Sequence, residues 1–287
     1  MSRIEDILGA QLYKYGDPVE EIRIKRGFPI CYRYGDGEYI FGKTVTNAQF
    51  DSIISKMCSD SYHTHEETIK KGYINVGEGI RAGVSGRAVS LSSDKYNISD
   101  IDYITVRIPH HISGVSLPLV KRICRKGYVK SVLIYSPPGI GKTTLLRDIA
   151  AIISDRPYNK RTVVIDSREE IYLPEIDGSP LLCFYKGYPK GNAIEAAVRT
   201  MSPDCIICDE IGSPEEADEL IKHQNTGVAV IATAHAKNLS GLLSRNRIGL
   251  MHEAGIFDLY CGIFREAGSD TLKLQFTERE SEIKVKL

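Results

Sequence analysis

The sequence predicts an α/β domain built on a mostly parallel sheet and preceded by a smaller α+β domain. From Ser131 onward, short apolar runs alternate with amphipathic helical segments, the grammar of a parallel sheet with helices on its faces. Before that, runs rich in β-branched residues are punctuated by Gly and Ser, as antiparallel hairpins require. The pattern changes near residue 125, which sets the domains at 1–125 and 126–287; a chain of 287 residues has room for both.

In the front domain an opening helix is followed by short strands in EEIRI, PICYRYG and YIFG, then by a helix starting near Asn47 that holds FDSIISKMC at amphipathic spacing. From Gly72 to Pro109, YINVGEGIRAGVSGRAVSL, an Asn/Ser/Asp-rich turn and DYITVRIP read as an antiparallel meander with no evident chemistry of its own. In the second domain SVLIY, TVVID, CIICD and VAVIATA have few polar interruptions, as strands covered on both faces should. Helices are expected over 142–154, 192–201 and 214–224. Pro214 suits a first helical turn with Ser213 as N-cap, and Glu215 and Glu216 then oppose the positive end of the helix dipole. DLYCGIF, TLKLQF and SEIKVKL read as late antiparallel strands that complete or flank the sheet.

With 37 Lys and Arg against 37 Asp and Glu, 42% apolar and 26% charged residues, the composition is that of a soluble globular protein and excludes disordered or collagen-like chains. Zero net charge lacks the basic excess of a phosphate-backbone or anionic-lipid binder, leaving room only for a local patch. No apolar run approaches the roughly 18 residues that cross a bilayer, and MSRIEDILGAQLYKYGDP lacks a signal-peptide pattern, so the expected location is the cytosol. The seven cysteines are scattered and mostly in apolar contexts, which suits reduced thiols.

The decisive segment joins a strand to an amphipathic helix through Ser136, Pro137, Pro138, Gly139, Ile140, Gly141, Lys142, Thr143 and Thr144. This is a phosphate loop. Glycines let successive backbone N–H groups point inward at phosphate oxygens, the helix N-terminus adds its dipole, Lys142 reaches the β and γ phosphates, and Thr143 offers a hydroxyl to Mg²⁺. Ser136 stands where the motif usually has its first Gly, at the position that touches phosphate least.

About 60 residues on, CIICDEIGSPEEA is an apolar strand ending in Asp209 and Glu210. After a phosphate loop, that placement assigns Asp209 to the metal and Glu210 to the base that takes a proton from the attacking water. TVVID runs into Asp166, Ser167, Arg168, Glu169 and Glu170, read either as a solvated loop or as a loop placing a carboxylate near the γ-phosphate to orient water or metal. VAVIATAHAKN ends at Thr233 and His235, where a polar side chain can sense the γ-phosphate. Cys205 and Cys208 have Cys-x-x-Cys spacing but lie inside an apolar strand with no second ligand pair, so they read as core. His63 and His65 read as surface residues.

With these blocks in place, the chain resembles, over almost its whole length, the stage III sporulation protein AA family, the ATPases of the sporulation stage III channel, itself similar to the type II and type IV secretion ATPases. The resemblance rests on EEIRIKRGFPI, SYHTHEETIKKGYINVGEGIRAGVSG, YITVRIPHHISG, the phosphate loop with LLRDIA, DSREEI, YPKGNAIEAAVRTMSPDCIICDEIG and GVAVIATAHAKNLSGLLSR. RTMSPDCIICDEIG is the most specific; it also looks like the secretion ATPases' second acidic box, with ATAHAKN like their histidine box and DSREEI like their aspartate box. The family usually has an acidic residue where this chain has Ser167, so Asp166 and Glu170 match better than the middle of that box, and the division of labour among the carboxylates stays open.

The resemblance implies a RecA-like phosphate-loop ATPase that uses ATP and Mg²⁺ and acts as a homo-oligomeric ring, a hexamer, at the cytoplasmic face of a membrane channel. It also implies partners among the stage III channel membrane proteins, in the mother cell facing the forespore, and no nucleic acid. The site residues it implies are Glu210, Glu170, Asp166 and His235, with Arg107 donated to a neighbouring subunit, as secretion ATPases do with arginines of the equivalent front domain; Arg81 and Arg87 are the other candidates. A nucleic-acid motor on the same fold and a nucleotide-gated scaffold with little turnover are the competing readings.

Overall fold

The structure, a computed structural model, describes residues 3–9, 13–14, 17–35, 37–59, 61–92, 95–125, 127–265 and 272–279. The chain forms two compact units, residues 1–110 and 111–287.

The first unit contains α1 (Arg3–Leu8), β1 (Tyr13–Lys14), β2 (Asp17–Lys25), β3 (Pro29–Tyr34), β4 (Tyr39–Thr44), α2 (Asn47–Met57), α3 (Tyr62–Lys70), β5 (Tyr73–Gly77), β6 (Ile80–Ser92) and β7 (Lys95–Arg107). Its sheet runs β4-β3-β2-β7-β6-β5, antiparallel throughout, with β1 paired to β2. Alternation decides the faces: Ile22 and Ile24 are fully buried between exposed Arg23 and Lys25, and they pack with Ile104, Val106, Ile74, Phe50, Met57 and Ile69 in one core. The α2 helix starts where the sequence predicts because Thr46 and Gln49 form a reciprocal capping box. The expected Asn/Ser/Asp-rich turn is largely strand, with Asn97, Ile98 and Ser99 paired to Val89, Ala88 and Arg87. Pairing with a neighbour overrides the local turn preference of those residues.

In the second unit the elements are α4 (Leu117–Ile123), β8 (Cys124–Arg125), β9 (Tyr128–Val129), β10 (Val132–Ser136), α5 (Lys142–Ser154), β11 (Thr162–Asp166), β12 (Leu182–Lys186), α6 (Lys190–Thr200), β13 (Cys205–Cys208), α7 (Pro214–Lys222), β14 (Ala229–His235), α8 (Leu239–Leu243), α9 (Asn246–Glu253), β15 (Leu259–Arg265) and β16 (Leu272–Glu278). The sheet order is β12-β11-β13-β14-β10-β15-β16, parallel except for β16 among the described residues. Successive strand residues feed opposite cores: Leu133 and Tyr135 pack with α6, α7 and α9, while Val132 and Ile134 pack with α4 and α5. DLYCGIF therefore pairs parallel with β10, contrary to the antiparallel expectation, because a helix lies between it and the preceding strand. TLKLQF is antiparallel as expected, and SEIKVKL lies outside the described residues. Strand β12 was not anticipated.

The boundary at 110 rather than 125 has a specific cause. Leu119, Val120 and Ile123 of α4 are fully buried in the second unit's core. Upstream of them, the fully buried Asp148 of α5 accepts hydrogen bonds from Gly114 N at 2.9 Å, Ser116 N at 2.7 Å and Ser116 Oγ at 2.7 Å, which ties residues 114–116 to the same core.

Candidate active site

All five residues of β10 are buried, and the strand ends at Ser136, where the chain turns through the glycine-rich loop into α5. Gly139 and Gly141 have φ of +75° and +111°. An added Cβ at Gly139 meets nothing within 4 Å, so it is the left-handed backbone that requires glycine there. The α5 helix is held by Leu145, Leu146, Ile149 and Ile153, spaced to face the core, which fixes its N-terminus at the loop.

Lys142 is 7% exposed and folds back over the loop. Its ammonium donates to Ser136 O at 3.3 Å, Pro137 O at 3.2 Å and Ser136 Oγ at 3.2 Å, and lies 2.9 Å from His235 Nδ1. Ser136 thus contributes an acceptor that glycine lacks, and its hydroxyl donates to Pro137 O. Burial lowers the Lys142 pKa, against the opposing pull of Asp209 and Glu210. An ammonium can only donate, so His235 Nδ1 accepts and the ring proton sits on Nε2, 3.4 Å from Glu210 Oε1.

Thr143 Oγ1 donates to Asp209 Oδ2 at 3.2 Å across from the end of β13. A hydroxyl beside a carboxylate is an all-oxygen donor pair suited to Mg²⁺, which takes one or two protein oxygens and completes its shell with phosphate and water. The loop and this pair fit a magnesium-bound nucleotide.

Glu210 follows Asp209 in the left-handed region, at φ +43°, a conformation costing on the order of 1–3 kcal/mol for a residue with a Cβ. Buried Thr233 holds it: its hydroxyl accepts from Glu210 N at 2.8 Å and donates to Asp209 Oδ1, and Thr233 O accepts from Ile211 N at 2.9 Å. Thr233 therefore shapes the turn instead of reaching outward as a sensor. The Glu210 carboxylate is paired with Arg168, and the Glu210 carbonyl accepts from Lys190 Nζ at 2.6 Å. The α7 helix begins with Ser213 and Glu216 in a reciprocal capping box, as the sequence predicts.

The family described as sporulation stage III, protein AA matches residues 1–283. The chain belongs to this stage III sporulation protein AA family. It is 31% identical over 264 residues to stage III sporulation protein AA of Bacillus subtilis (strain 168), covering 88% of this chain and 85% of that protein. Among solved structures, the pilus retraction motor PilT with bound ADP superposes with a TM-score of 0.65 at 16% identity, covering 99% of this chain and 84% of that one. The ATPase DotB of Legionella pneumophila superposes with a TM-score of 0.60 at 17% identity, covering 92% and 78%. The fold of this family member is thus that of a phosphate-loop protein of the secretion-ATPase type, with a smaller domain in front.

In the acidic loop after β11 the structure separates the carboxylates by role. Asp166 is 1% exposed, and its oxygens accept Glu170 N at 2.8 Å, Ile171 N at 2.9 Å and Tyr172 N at 2.8 Å. Almost wholly buried and holding three backbone N–H groups, Asp166 organises the loop, a structural role where the sequence led to a catalytic one. Arg147 of α5, also buried, donates to Ile171 O at 3.2 Å and Glu170 O at 2.5 Å, locking the backbone of Glu170 to the phosphate-loop helix. Asp166→Ala should lower unfolding stability by roughly 3 kcal/mol, since hydrogen bonds to a charged group are worth about 1.5–3 kcal/mol each and three backbone N–H groups, that of Ile171 buried and those of Glu170 and Tyr172 partly so, lose their acceptor. Urea denaturation checks it; a loss under 1 kcal/mol contradicts the structural role.

Arg168 and Lys190 were not singled out from the sequence; they join Ser167, Gly212, Glu216 and Arg245 around an open cleft of about 410 Å³ beside Glu210. Their only sequence signal is position, each just past an element end of the parallel sheet. In the first unit, the Arg107 side chain is 86% exposed with its Nε 3.7 Å from Glu21, Arg81 stacks over Tyr73, and Arg87 lines an open cleft with Asp100. Cys205 and Cys208 are fully buried in strand β13, where burial pushes both thiols up to about 12, the environment of core cysteines. His63 is exposed and His65 half-buried on α3, and no described helix is long and apolar enough to cross a membrane.

Proposed function

We propose that the chain is a Mg²⁺-dependent ATPase that energises assembly of, or transport through, a secretion-type membrane channel, the channel between mother cell and forespore in a sporulating bacterium. It works as a homo-oligomeric ring, a hexamer, at the cytoplasmic face of the mother-cell membrane, with stage III channel proteins as partners. The observation that carries this is one connected cluster at the carboxyl ends of adjacent strands β13, β14 and β10: Lys142, His235, Glu210, Thr233, Asp209 and Thr143 are joined through contacts of 3.4 Å or less.

In this reading the backbone N–H groups of residues 139–143 and the Lys142 ammonium hold the phosphates, and Thr143 and Asp209 would hold Mg²⁺. The metal supplies charge neutralisation on the phosphates when bound. Glu210, freed from Arg168, accepts a proton from the water that attacks the γ-phosphorus, and Glu170 orients that water. His235 links the cation at the phosphates to the base and fixes both.

Glu210→Gln should bind MgATP as wild type does and hydrolyse it about 10²- to 10⁴-fold more slowly, because the amide keeps the shape and cannot take the proton. Phosphate release and nucleotide titration measure the two separately. Full turnover in Glu210→Gln together with loss in Glu170→Gln would move the base into the acidic loop. A wild-type chain that binds ATP without steady-state phosphate release would instead be a nucleotide-gated scaffold.

A further inference from the structure

Glu210 occupies a backbone conformation that a side-chain-bearing residue adopts only when its surroundings impose it. Two side chains impose it here, one on each side of the residue. Thr233 takes the Glu210 N–H at 2.8 Å from β14, and Lys190 donates to the Glu210 carbonyl at 2.6 Å from the first turn of α6. Lys190 is not a surface lysine that happens to reach this turn. Its side chain is 10% exposed, and its ammonium also lies 3.4 Å from Glu216 Oε1, on a side chain 13% exposed.

Glu216 is in turn committed to the same turn. Its Oε2 accepts Gly212 N at 2.8 Å and Ser213 N at 2.9 Å, the residues that lead from Glu210 into α7. The ammonium therefore bridges the Glu210 carbonyl to the carboxylate that caps the next helix, and three hydrogen bonds and one ion pair close a ring around residues 210–213. Among the described residues, none of its hydrogen bonds or ion pairs is to the phosphate loop.

We infer that Lys190 is a positioning residue for hydrolysis: it holds the Glu210 turn in the conformation that aims the carboxylate, and it does so without contributing to nucleotide binding. The inference rests on the reading of Glu210 as the base. A partly buried carbonyl deprived of its donor lets the strained turn relax toward ordinary backbone angles, which moves the carboxylate off line, and misplacement of about 1 Å can cost on the order of 10²-fold. An arginine can restore a donor to the carbonyl and the carboxylate, whereas an isosteric methionine restores neither.

The test uses the full chain with Lys190→Met, Lys190→Arg, Glu210→Gln and the Lys190→Met/Glu210→Gln double variant. Single-turnover hydrolysis of ATP, binding of a fluorescent ATP analogue and thermal unfolding are measured for each. Lys190→Met should fold, bind the analogue within about threefold of wild type and hydrolyse about 10- to 100-fold more slowly. Lys190→Arg should recover part of the rate. In the Glu210→Gln background Lys190→Met should cost less than about threefold more, because a turn that no longer aims a base has nothing left to lose. Glu210→Gln slow with Lys190→Met at the wild-type rate overturns the inference and leaves the base assignment standing. Glu210→Gln at the wild-type rate sinks the base assignment, and the inference with it. Rate losses that multiply in the double variant, or analogue binding that weakens as much as the rate, show that Lys190 acts elsewhere.

Discussion

Lys142→Ala should leave no measurable hydrolysis and weaken ATP binding by about 10- to 100-fold, the equivalent of the roughly 1.5–3 kcal/mol that hydrogen bonds to a charged group contribute. The reason lies in the contacts of its ammonium. The ammonium is 7% exposed, and burial depresses its pKa while only carbonyls, a hydroxyl and an imidazole nitrogen touch it directly. A buried cation whose contacts are all neutral is poised for an anion, and phosphate oxygens supply one. The variant also leaves His235 Nδ1 without its donor, so the ring is free to flip and Glu210 loses its Nε2 neighbour. Titration with a fluorescent ATP analogue and a phosphate-release assay decide the matter. Turnover at the wild-type rate in this variant contradicts the phosphate-loop assignment outright.

Arg107→Ala should lower turnover by about 10³- to 10⁵-fold, the range measured for arginines that neutralise charge on a transferring phosphoryl group. The Arg107 side chain is 86% exposed, and its Glu21 neighbour is 3.7 Å away, too long for a hydrogen bond that would tie the guanidinium down. Arg81 is engaged with the Tyr73 ring, and Arg87 sits beside carboxylates. The decisive measurement mixes two inactive chains, Arg107→Ala and Lys142→Ala. If Arg107 acts on a neighbouring subunit, some interfaces in mixed rings pair an intact phosphate loop with an intact arginine, and activity partly returns. Full activity of Arg107→Ala, alone or combined with Arg81→Ala and Arg87→Ala, contradicts donation in trans. So does a chain that hydrolyses at the normal rate while light scattering shows a monomer with MgATP.

The parts of this molecule that were legible in the sequence are those governed by local rules. SVLIY, TVVID, CIICD and VAVIATA are strands because apolar runs buried on both faces have no other short solution, and the α7 start is legible because Ser213, Pro214 and Glu216 each carry a local capping role. The phosphate loop was legible for the same reason. What stayed hidden depends on the path the folded chain takes. Strand β12 mixes Cys183, Phe184, Tyr185 and Lys186 because it is a sheet edge with half-buried positions, so it lacks the apolar run of a central strand. The direction of β15 follows from which strand it meets, and no residue in it encodes that. Asp166 looks like a metal ligand at a strand end; that its oxygens hold three backbone N–H groups follows only from the path of residues 170–172. Arg168 and Lys190 are ordinary charged residues until the sheet brings them to Glu210, 42 and 20 positions away.

The carboxylate of Asp148 bears on how this protein can be divided and inherited. A piece cut at the change of sequence pattern, beginning at residue 126, carries the entire parallel sheet and every residue of the nucleotide cluster. It lacks Gly114 and Ser116, whose groups satisfy Asp148, and it lacks Leu119, Val120 and Ile123, which cover one face of α5. A buried charge stripped of its donors is among the most destabilising changes a fold can suffer. The portable module, whether shuffled by recombination or excised at the bench, therefore begins at His111, and the residues ahead of its first sheet strand are structural cargo that any transplanted copy has to carry with it.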